Sequence, residues 1–191
     1  MKLFIDFEFT GLHQSTKPIS LGIVSEDGRE FYAEFTDFGE ESVDDWIKNN
    51  VLSNTLYLQL PLETRKQMTM PKDHYIGATK EVVSKLVTWL RQFEFVELWG
   101  DCMAYDWILF CELFGGALNL PRNIYYIPFD ICTTLKNKGI DPDIDRQDFA
   151  ASGTFSRDNR CIVLGKSISQ HNAICDARNT RDCYNRLEEM K

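Results

Sequence analysis

Apolar residues alternate with polar residues along the first part of the chain, and this pattern predicts β-strands. On residues 2–9 the alternating apolar positions are Leu3, Ile5, Phe7 and Phe9. A period of two places such side chains on one face of a strand. Two further strands are predicted at 19–25 and 29–35, and Asp27-Gly28 between them is a strong hairpin signal because both residues tolerate positive φ. We therefore expect an antiparallel meander of three strands.

Helical periodicity dominates the rest of the chain. The clearest helix is predicted at residues 78–92, and its apolar stripe consists of Val82, Val83, Leu86, Val87 and Leu90. Further helices are predicted at 42–50, 104–114, 130–138 and 172–189, and short strands at 95–99 and 124–129. The pattern of residues 53–70 is mixed and predicts neither. Strands that come first and then alternate with helices predict an α/β fold with a mixed sheet.

Two local signals refine this picture. Ser42 followed by Asp45 resembles a capping box, with Asp in place of the usual Glu or Gln. In the irregular segment 141–170, we expect Phe155 to pair with residues 162–164 in a hairpin around 157–159.

The length and the cysteine pattern limit the class of protein. The 191 residues are enough for one domain with its own core, so we expect a single domain over residues 1–191. No apolar run approaches the roughly 20 residues that a membrane helix needs, and the first residues lack a signal-peptide pattern. The six cysteines include no C-x-x-C pair. We expect a cytoplasmic protein with reduced thiols and no membrane association.

The chain is acidic, with a formal net charge of −8 at pH 7. Proteins that bind nucleic acid through broad phosphate contacts are usually basic, so the charge counts against a high-affinity nucleic-acid clamp. An acidic surface also serves solubility. The charge still allows an enzyme whose metal ions neutralise both its own site and a substrate phosphate.

The first predicted strand carries two carboxylates on one face. Asp6 and Glu8 lie two residues apart, and their apolar neighbours indicate a strand deep in the core. Burying two repelling charges costs several kcal/mol per ion unless a cation lies between them. Mg²⁺ or Mn²⁺ suits an all-oxygen site. The alternative is that this face of the strand is exposed to water.

Three further polar residues stand out near predicted helix starts. Asp106 lies in an otherwise apolar segment, where an unpaired charge would be costly, although a helix dipole also favours Asp at a helix start. His171 and Asp176 lie five residues apart, about 500° around a helix, so they cannot share a helical face. We expect His171 in the loop before the last helix and Asp176 in its first or second turn. A histidine at a helix start is otherwise an ordinary surface residue.

Taken in order, these residues form three motifs: Asp6-x-Glu8-Phe9-Thr10-Gly11-Leu12, Gly100-Asp101-Cys102-Met103-Ala104-Tyr105-Asp106 and His171-x4-Asp176. They resemble the three exonuclease motifs of the DEDDh family in the RNase H-like superfamily. With the following Asp176-Ala177-Arg178, the chain is most similar to the small mycobacterial-type 3′→5′ exoribonucleases. The resemblance implies an RNase H-like mixed β-sheet flanked by α-helices.

The resemblance also implies roles for these residues. Asp6, Glu8, Asp106 and Asp176 would bind two Mg²⁺ or Mn²⁺ ions, and His171 would be the general base. The substrate would be the 3′ end of single-stranded RNA or DNA, and the product a nucleoside 5′-monophosphate. Imidazole, whose reference pKa is about 6.5, suits a base that works near pH 7.

Substrate contacts are expected mainly from the residues after Glu8. These are Phe9, Thr10, Gly11 and Leu12, of which Gly11 allows close backbone approach and Leu12 would wedge against the terminal base. Tyr105, Trp107 and Phe155 are candidate stacking residues, although aromatic side chains beside apolar runs are usually core. Cys102 departs from the family, which often has Asn there. Cysteine cannot make the same hydrogen bonds, so substrate positioning and the choice of RNA or DNA stay open.

Two other classes of function compete with the exoribonuclease. One is a different nuclease on the same fold, either a DNA-directed, proofreading-type 3′→5′ exonuclease or an oligonucleotide-clearing nuclease. The other is a non-catalytic nucleic-acid-binding domain with a decayed site. The presence of all five expected catalytic residues speaks against decay. The resemblance further implies a homodimer whose partner supplies basic side chains. The candidates are Lys136, Lys138, Arg157, Arg160 and Lys166, although an ordinary solvated surface is the more common role for any single one of them.

Overall fold

The computed structural model describes residues 1–152, 161–163, 166–168 and 170–190. Eight strands and seven α-helices lie in these ranges. The strands are β1 (Lys2–Phe9), β2 (Pro18–Ser25), β3 (Glu30–Phe35), β4 (His74–Gly77), β5 (Glu97–Gly100), β6 (Phe129–Asp130), β7 (Cys161–Val163) and β8 (Lys166–Ile168). The helices are α1 (Asp45–Asn50), α2 (Leu62–Gln67), α3 (Thr79–Leu90), α4 (Ala104–Leu113), α5 (Ile131–Asn137), α6 (Arg146–Ala151) and α7 (Ala173–Glu189). No helix in the described part of the chain is long and apolar enough to span a membrane.

Six strands form one mixed sheet in the order β4-β3-β2-β1-β5-β6. The meander β1-β2-β3 is antiparallel, as predicted. The other three strands add in parallel: β4 to β3, β5 to β1 and β6 to β5. The predicted α/β class with a mixed sheet is therefore confirmed. β7 and β8 form a separate antiparallel pair.

Helices cover both faces of the sheet around β1. On one face Leu3, Ile5 and Phe7 belong to a buried cluster that includes residues of α3 and α4. On the other face the Phe4 ring contacts Tyr184 of α7, with ring centroids 5.4 Å apart. Because side chains alternate along a strand, Asp6 and Glu8 share the α7 face with Phe4. The strand thus carries two carboxylates into the space between sheet and helix.

The helix α7 lies very close to β2 at Gly22, which pairs with Asp6 in the sheet. A Cβ added at Gly22 would lie 2.2 Å from the carbonyl oxygen of Ala173, a backbone atom that cannot rotate away. Glycine therefore lets the start of α7 pack against the strand beside the carboxylates.

Gly22→Ala is expected to destabilise the fold by about 3 kcal/mol or more, because the strand and helix backbones must separate. Gly28→Ala is the matched control, since its Cβ meets nothing within 4 Å and only its φ of +89° is unfavourable. That strain costs about 1–2 kcal/mol. Urea unfolding measures both, and an equal loss in the two variants would contradict the close-approach explanation.

Several local predictions are wrong. The N-cap of α1 is Asp44, whose side chain accepts from the Ile47 amide, while the Ser42 hydroxyl donates to Phe38 and Gly39 carbonyls. The strand predicted at 124–129 is interrupted. Ile124 forms an isolated bridge with Val96, and β6 begins only at Phe129, after Pro128, which has no amide proton to donate.

The region after residue 141 also departs from expectation. α6 is a helix that the sequence pattern did not predict. β7 pairs with β8, so residues 162–163 pair with the segment that follows them, and Phe155 lies outside the described residues. The expectation of six reduced thiols is wrong for Cys175, which is disulfide-bonded. Cys102, Cys111, Cys132 and Cys183 are free.

Candidate active site

A cavity of about 1030 Å³ opens where β1, α4 and the start of α7 meet. Its lining includes all five residues that the sequence predicts to be catalytic: Asp6, Glu8, Asp106, His171 and Asp176. These residues come from three segments that are far apart along the chain. The fold brings them together because β1 is central and both helices begin beside it.

Three of the carboxylates lie close enough together to share a ligand. Oxygen atoms of Asp6, Glu8 and Asp176 all lie within 4.8 Å of one another. Asp106 is buried and fixed to the same strand, since its Oδ1 accepts the Phe7 amide proton at 2.8 Å. The Asn172 amide donates to Asp176 Oδ2 at 3.1 Å, which holds that carboxylate at the start of α7.

The pKa of each of these carboxyl groups is raised. For Asp6 the causes are burial and then repulsion by Asp176, Asp106 and Glu8. Burial and the charges of Asp176 and Asp106 raise the pKa of Glu8 well above its usual value. Burial raises the pKa of Asp106 to about 7 and that of Asp176 to about 6.

In the described part of the chain, no basic side chain is paired with this cluster. Among the side chains that the structure describes, no Lys or Arg forms a salt bridge with any of the four carboxylates. Four mutually repelling acids of this kind fit a site for hard divalent cations, which oxygen ligands bind best.

His171 lies in the loop before α7, and its backbone adopts a positive φ of 56°. The loop is held on both sides of it. Asn54 Nδ2 donates to the Gln170 carbonyl at 3.1 Å, and Asn172 Nδ2 donates to the Asn54 carbonyl at 2.8 Å. The His171 ring also meets Trp46 edge to face, with centroids 5.2 Å apart. These contacts aim the imidazole into the cavity from the side of α1.

Comparisons with known proteins identify the family of the chain. Residues 1–187 match the 3′-5′ exoribonuclease Rv2179c-like domain family. The chain belongs to this family. Over 126 residues it is 29% identical to the 3′-5′ exoribonuclease Rv2179c of Mycobacterium tuberculosis strain H37Rv and to its counterpart MT2234.1 in strain CDC 1551. That alignment covers 65% of this chain and 67% of each relative.

A solved structure shows the same fold. The Neurospora crassa Pan2 catalytic unit, which contains a protease and a nuclease domain, matches with a TM-score of 0.50 and 16% identity. The match covers 99% of this chain and 27% of that one. The expected RNase H-like sheet flanked by helices is therefore confirmed for this member of the Rv2179c-like family.

The predicted substrate-contact residues divide into two groups. Phe9, Gly11, Leu12 and Tyr105 line the cavity, and Leu12 is 77% exposed. Tyr105 stacks on Phe9 with ring centroids 5.4 Å apart. Thr10 is buried, and its hydroxyl accepts the Lys17 amide proton at 3.0 Å, so it shapes the loop behind the cavity.

Other candidates for substrate contact lie elsewhere. Trp107 packs against the core cluster of α3 and α4 instead of lining the cavity. Lys136 and Lys138 are exposed at the end of α5. Arg157 and Arg160 lie outside the described residues, and of Lys166 the structure describes only its place in β8.

The sequence alone did not point to one basic side chain in the cavity wall. Arg146 of α6 lines the cavity and pairs with Asp101, with Nε 2.7 Å from Oδ2 and Nη2 2.9 Å from Oδ1. Asn54 and Trp46 were also missed. Nothing in the local pattern distinguishes these residues from ordinary surface residues, because each acts through partners more than 40 residues away.

Proposed function

We propose that this protein hydrolyses single-stranded RNA from its 3′ end and releases nucleoside 5′-monophosphates. The observation that carries the proposal is the convergence of Asp6, Glu8 and Asp176 within 4.8 Å, in a chain of a 3′-5′ exoribonuclease family. Asp106 and His171 line the same cavity. The homodimer, the cytoplasmic location and the single-domain organisation stay predictions.

Two Mg²⁺ or Mn²⁺ ions fit the carboxylate cluster. Asp6 would be a shared ligand, because its oxygens lie within 4.8 Å of those of Glu8 and Asp176 and the charges of Glu8, Asp106 and Asp176 all act on it. Glu8 and Asp176 would hold the ions together with Asp6, and Asp106, which lines the same cavity, would act mainly through metal-bound water. Bound ions supply activation of water near neutral pH and stabilisation of the leaving 3′ oxygen.

Side chains around the cluster would supply proton transfer and substrate positioning. His171 takes a proton from the attacking water, a role for which the loop contacts to Asn54 and the Trp46 ring orient it. Leu12, exposed at the cavity mouth, packs against the terminal base, and Gly11 leaves room for the sugar and phosphate. Together they hold the last nucleotide in line with the carboxylates.

The test uses 5′-labelled single-stranded RNA and DNA of the same sequence, incubated with the pure protein in Mg²⁺, Mn²⁺ or EDTA. We expect stepwise shortening of RNA that requires metal. Shortening of DNA alone would select the proofreading-type nuclease, and binding without cleavage in every condition would leave only a nucleic-acid-binding domain.

Divalent ions are expected to stabilise the protein, and more strongly at higher pH. The Asp176 and Asp106 carboxyl groups have pKa values of about 6 and about 7 in the folded protein, above the reference of about 3.9. A carboxyl group whose pKa is raised by folding stabilises the fold below the unfolded pKa. This contribution is lost as pH rises through about 6 to 7. Metal-free protein should therefore lose thermal stability between pH 5 and pH 8.

Bound metal reverses this loss of thermal stability, because the cation takes the place of the protons that neutralise the carboxyl groups at low pH. Mn²⁺ at about 100 times its Kd adds about 2.7 kcal/mol, or about 5–10 °C in Tm for a chain of this size. We expect that shift at pH 8 and little of it at pH 5, where protons compete for the carboxylates. Calorimetry at the two pH values measures it, and Asp176→Asn is the control that should lose it. Equal Mn²⁺ shifts at both pH values would contradict the proposed site.

A further inference from the structure

A second reactive cluster lies in the cavity wall, outside the carboxylates. The sulfur atoms of Cys102 and Cys132 are 3.5 Å apart, although the residues are 30 positions apart in the chain. Cys102 is exposed and lines the cavity, in the turn between β5 and α4. Cys132 is half-buried in α5. Both are free thiols.

The fold holds these two cysteines side by side. The Asp130 carboxylate accepts the Met103 amide proton at 2.9 Å and the Thr133 amide proton at 2.9 Å. Each of these amides belongs to the residue that follows one of the cysteines. One half-buried carboxylate therefore ties both cysteine-bearing segments together, and the pairing of β5 with β6 fixes the same two segments in the sheet.

The surroundings favour thiol chemistry over metal binding at this pair. Asp101 is the only other metal-type ligand beside the two sulfurs in the described part of the chain. Both of its oxygens are occupied by Arg146, and Arg146 Nη2 lies 3.2 Å from the Cys132 sulfur. A guanidinium at that distance repels a cation. A disulfide needs the sulfurs to close only from 3.5 Å to about 2.05 Å.

We propose that Cys102 and Cys132 form a reversible thiol–disulfide pair that exchanges with disulfides of small thiols, such as oxidised glutathione. The exposed Cys102 thiolate attacks the small disulfide, so one S–S bond forms as another breaks and one small thiol leaves. The Cys132 sulfur then attacks the Cys102 sulfur, and the second small thiol leaves with the proton of Cys132. In sum, two protein thiols are oxidised and one small disulfide is reduced to two thiols.

The order of attack follows from the environments of the two sulfurs. Burial and the hydrogen bond to Asp101 raise the pKa of Cys132 to about 12, which disfavours its thiolate. Cys102 is the accessible sulfur, so it reacts first and Cys132 resolves the mixed disulfide. The reaction would join the start of α4 to α5 and place a redox-sensitive bond on the wall of the cavity.

The test treats the native protein with oxidised glutathione and follows it by intact mass and peptide mapping. Wild type should lose the mass of two hydrogens and yield a linked Cys102–Cys132 peptide pair. Cys132→Ser should instead retain one glutathione on Cys102, and Cys102→Ser should form neither product. The buried free thiols Cys111 and Cys183 are internal controls that should stay unmodified.

Two results would overturn the proposal. One is a stable glutathione adduct on Cys102 of wild type without the linked peptide pair. The other is a zinc ion retained by wild type in native mass spectrometry and lost in Cys132→Ser. None of these measurements depends on nuclease activity, so a failure of the thiol–disulfide pair can be distinguished from a failure of the proposed nuclease function. Thermal melts of the variants show whether they remain folded.

Discussion

Asp6→Asn is expected to lower the rate of RNA shortening about a thousandfold or more, while raising the thermal stability of the metal-free protein. Asp6 stands at the centre of the cluster, where the charges of Asp176, Asp106 and Glu8 all oppose its ionisation. Metal ions supply several kcal/mol of transition-state stabilisation, and about 4 kcal/mol corresponds to a thousandfold in rate. Asn keeps the shape of Asp but removes one repelling charge, so the metal-free fold gains stability.

The opposite signs of these two effects distinguish a lost site from a lost fold. Single-turnover cleavage of labelled RNA measures the rate, and melting in EDTA measures the stability. Asp44→Asn is the matched control: it lies in the same cavity wall, and Asn caps α1 as well as Asp does. We expect it to cleave RNA within about twofold of wild type. An Asp6→Asn protein that melts several degrees lower would attribute the lost activity to unfolding.

The part of the site that the sequence predicted depends on local periodicity. The alternation of Leu3, Ile5 and Phe7 defines one face of β1, and this assigns Asp6 and Glu8 to the other face without any knowledge of tertiary structure. The helical repeat shows that His171 and Asp176 cannot share a face, and the prediction that His171 lies in the loop before α7 is confirmed. Both predictions need only the repeat of a strand or a helix.

The missed features depend on contacts between distant segments. β4 is four residues long and exists because it pairs with β3, and its sequence has no alternation of its own. Asn54 contacts residue 170 across 116 positions, and Arg146 meets Asp101 across 45. A polar residue that contacts the site only through the folded chain has the same local pattern as a solvated one. Periodicity therefore places Asp6 and Glu8 on one face, the resemblance of the three motifs implies the role of the carboxylates, and neither finds what orients the histidine.

His171→Ala is expected to slow RNA cleavage about 10²–10⁴-fold, the usual contribution of a general base, with metal binding retained. The Mn²⁺-induced rise in Tm should stay close to that of wild type, because the proposed metal ligands are the carboxylates and His171 is not one of the grouped ligands. Added imidazole should restore part of the rate by replacing the missing base. Full activity without imidazole would remove His171 from the reaction.

A double-mutant cycle then asks whether the loop contacts act through this imidazole. Asn54→Ala removes the donor to the Gln170 carbonyl, a hydrogen bond worth about 0.5–1.5 kcal/mol, and leaves the cap of α7 intact. In wild type we expect a loss of about twofold to tenfold in the rate of cleavage. In the His171→Ala background the same change should have no further effect, because there is no imidazole left to orient. If the two losses multiply, Asn54 supports the fold of the loop and has no part in positioning the base.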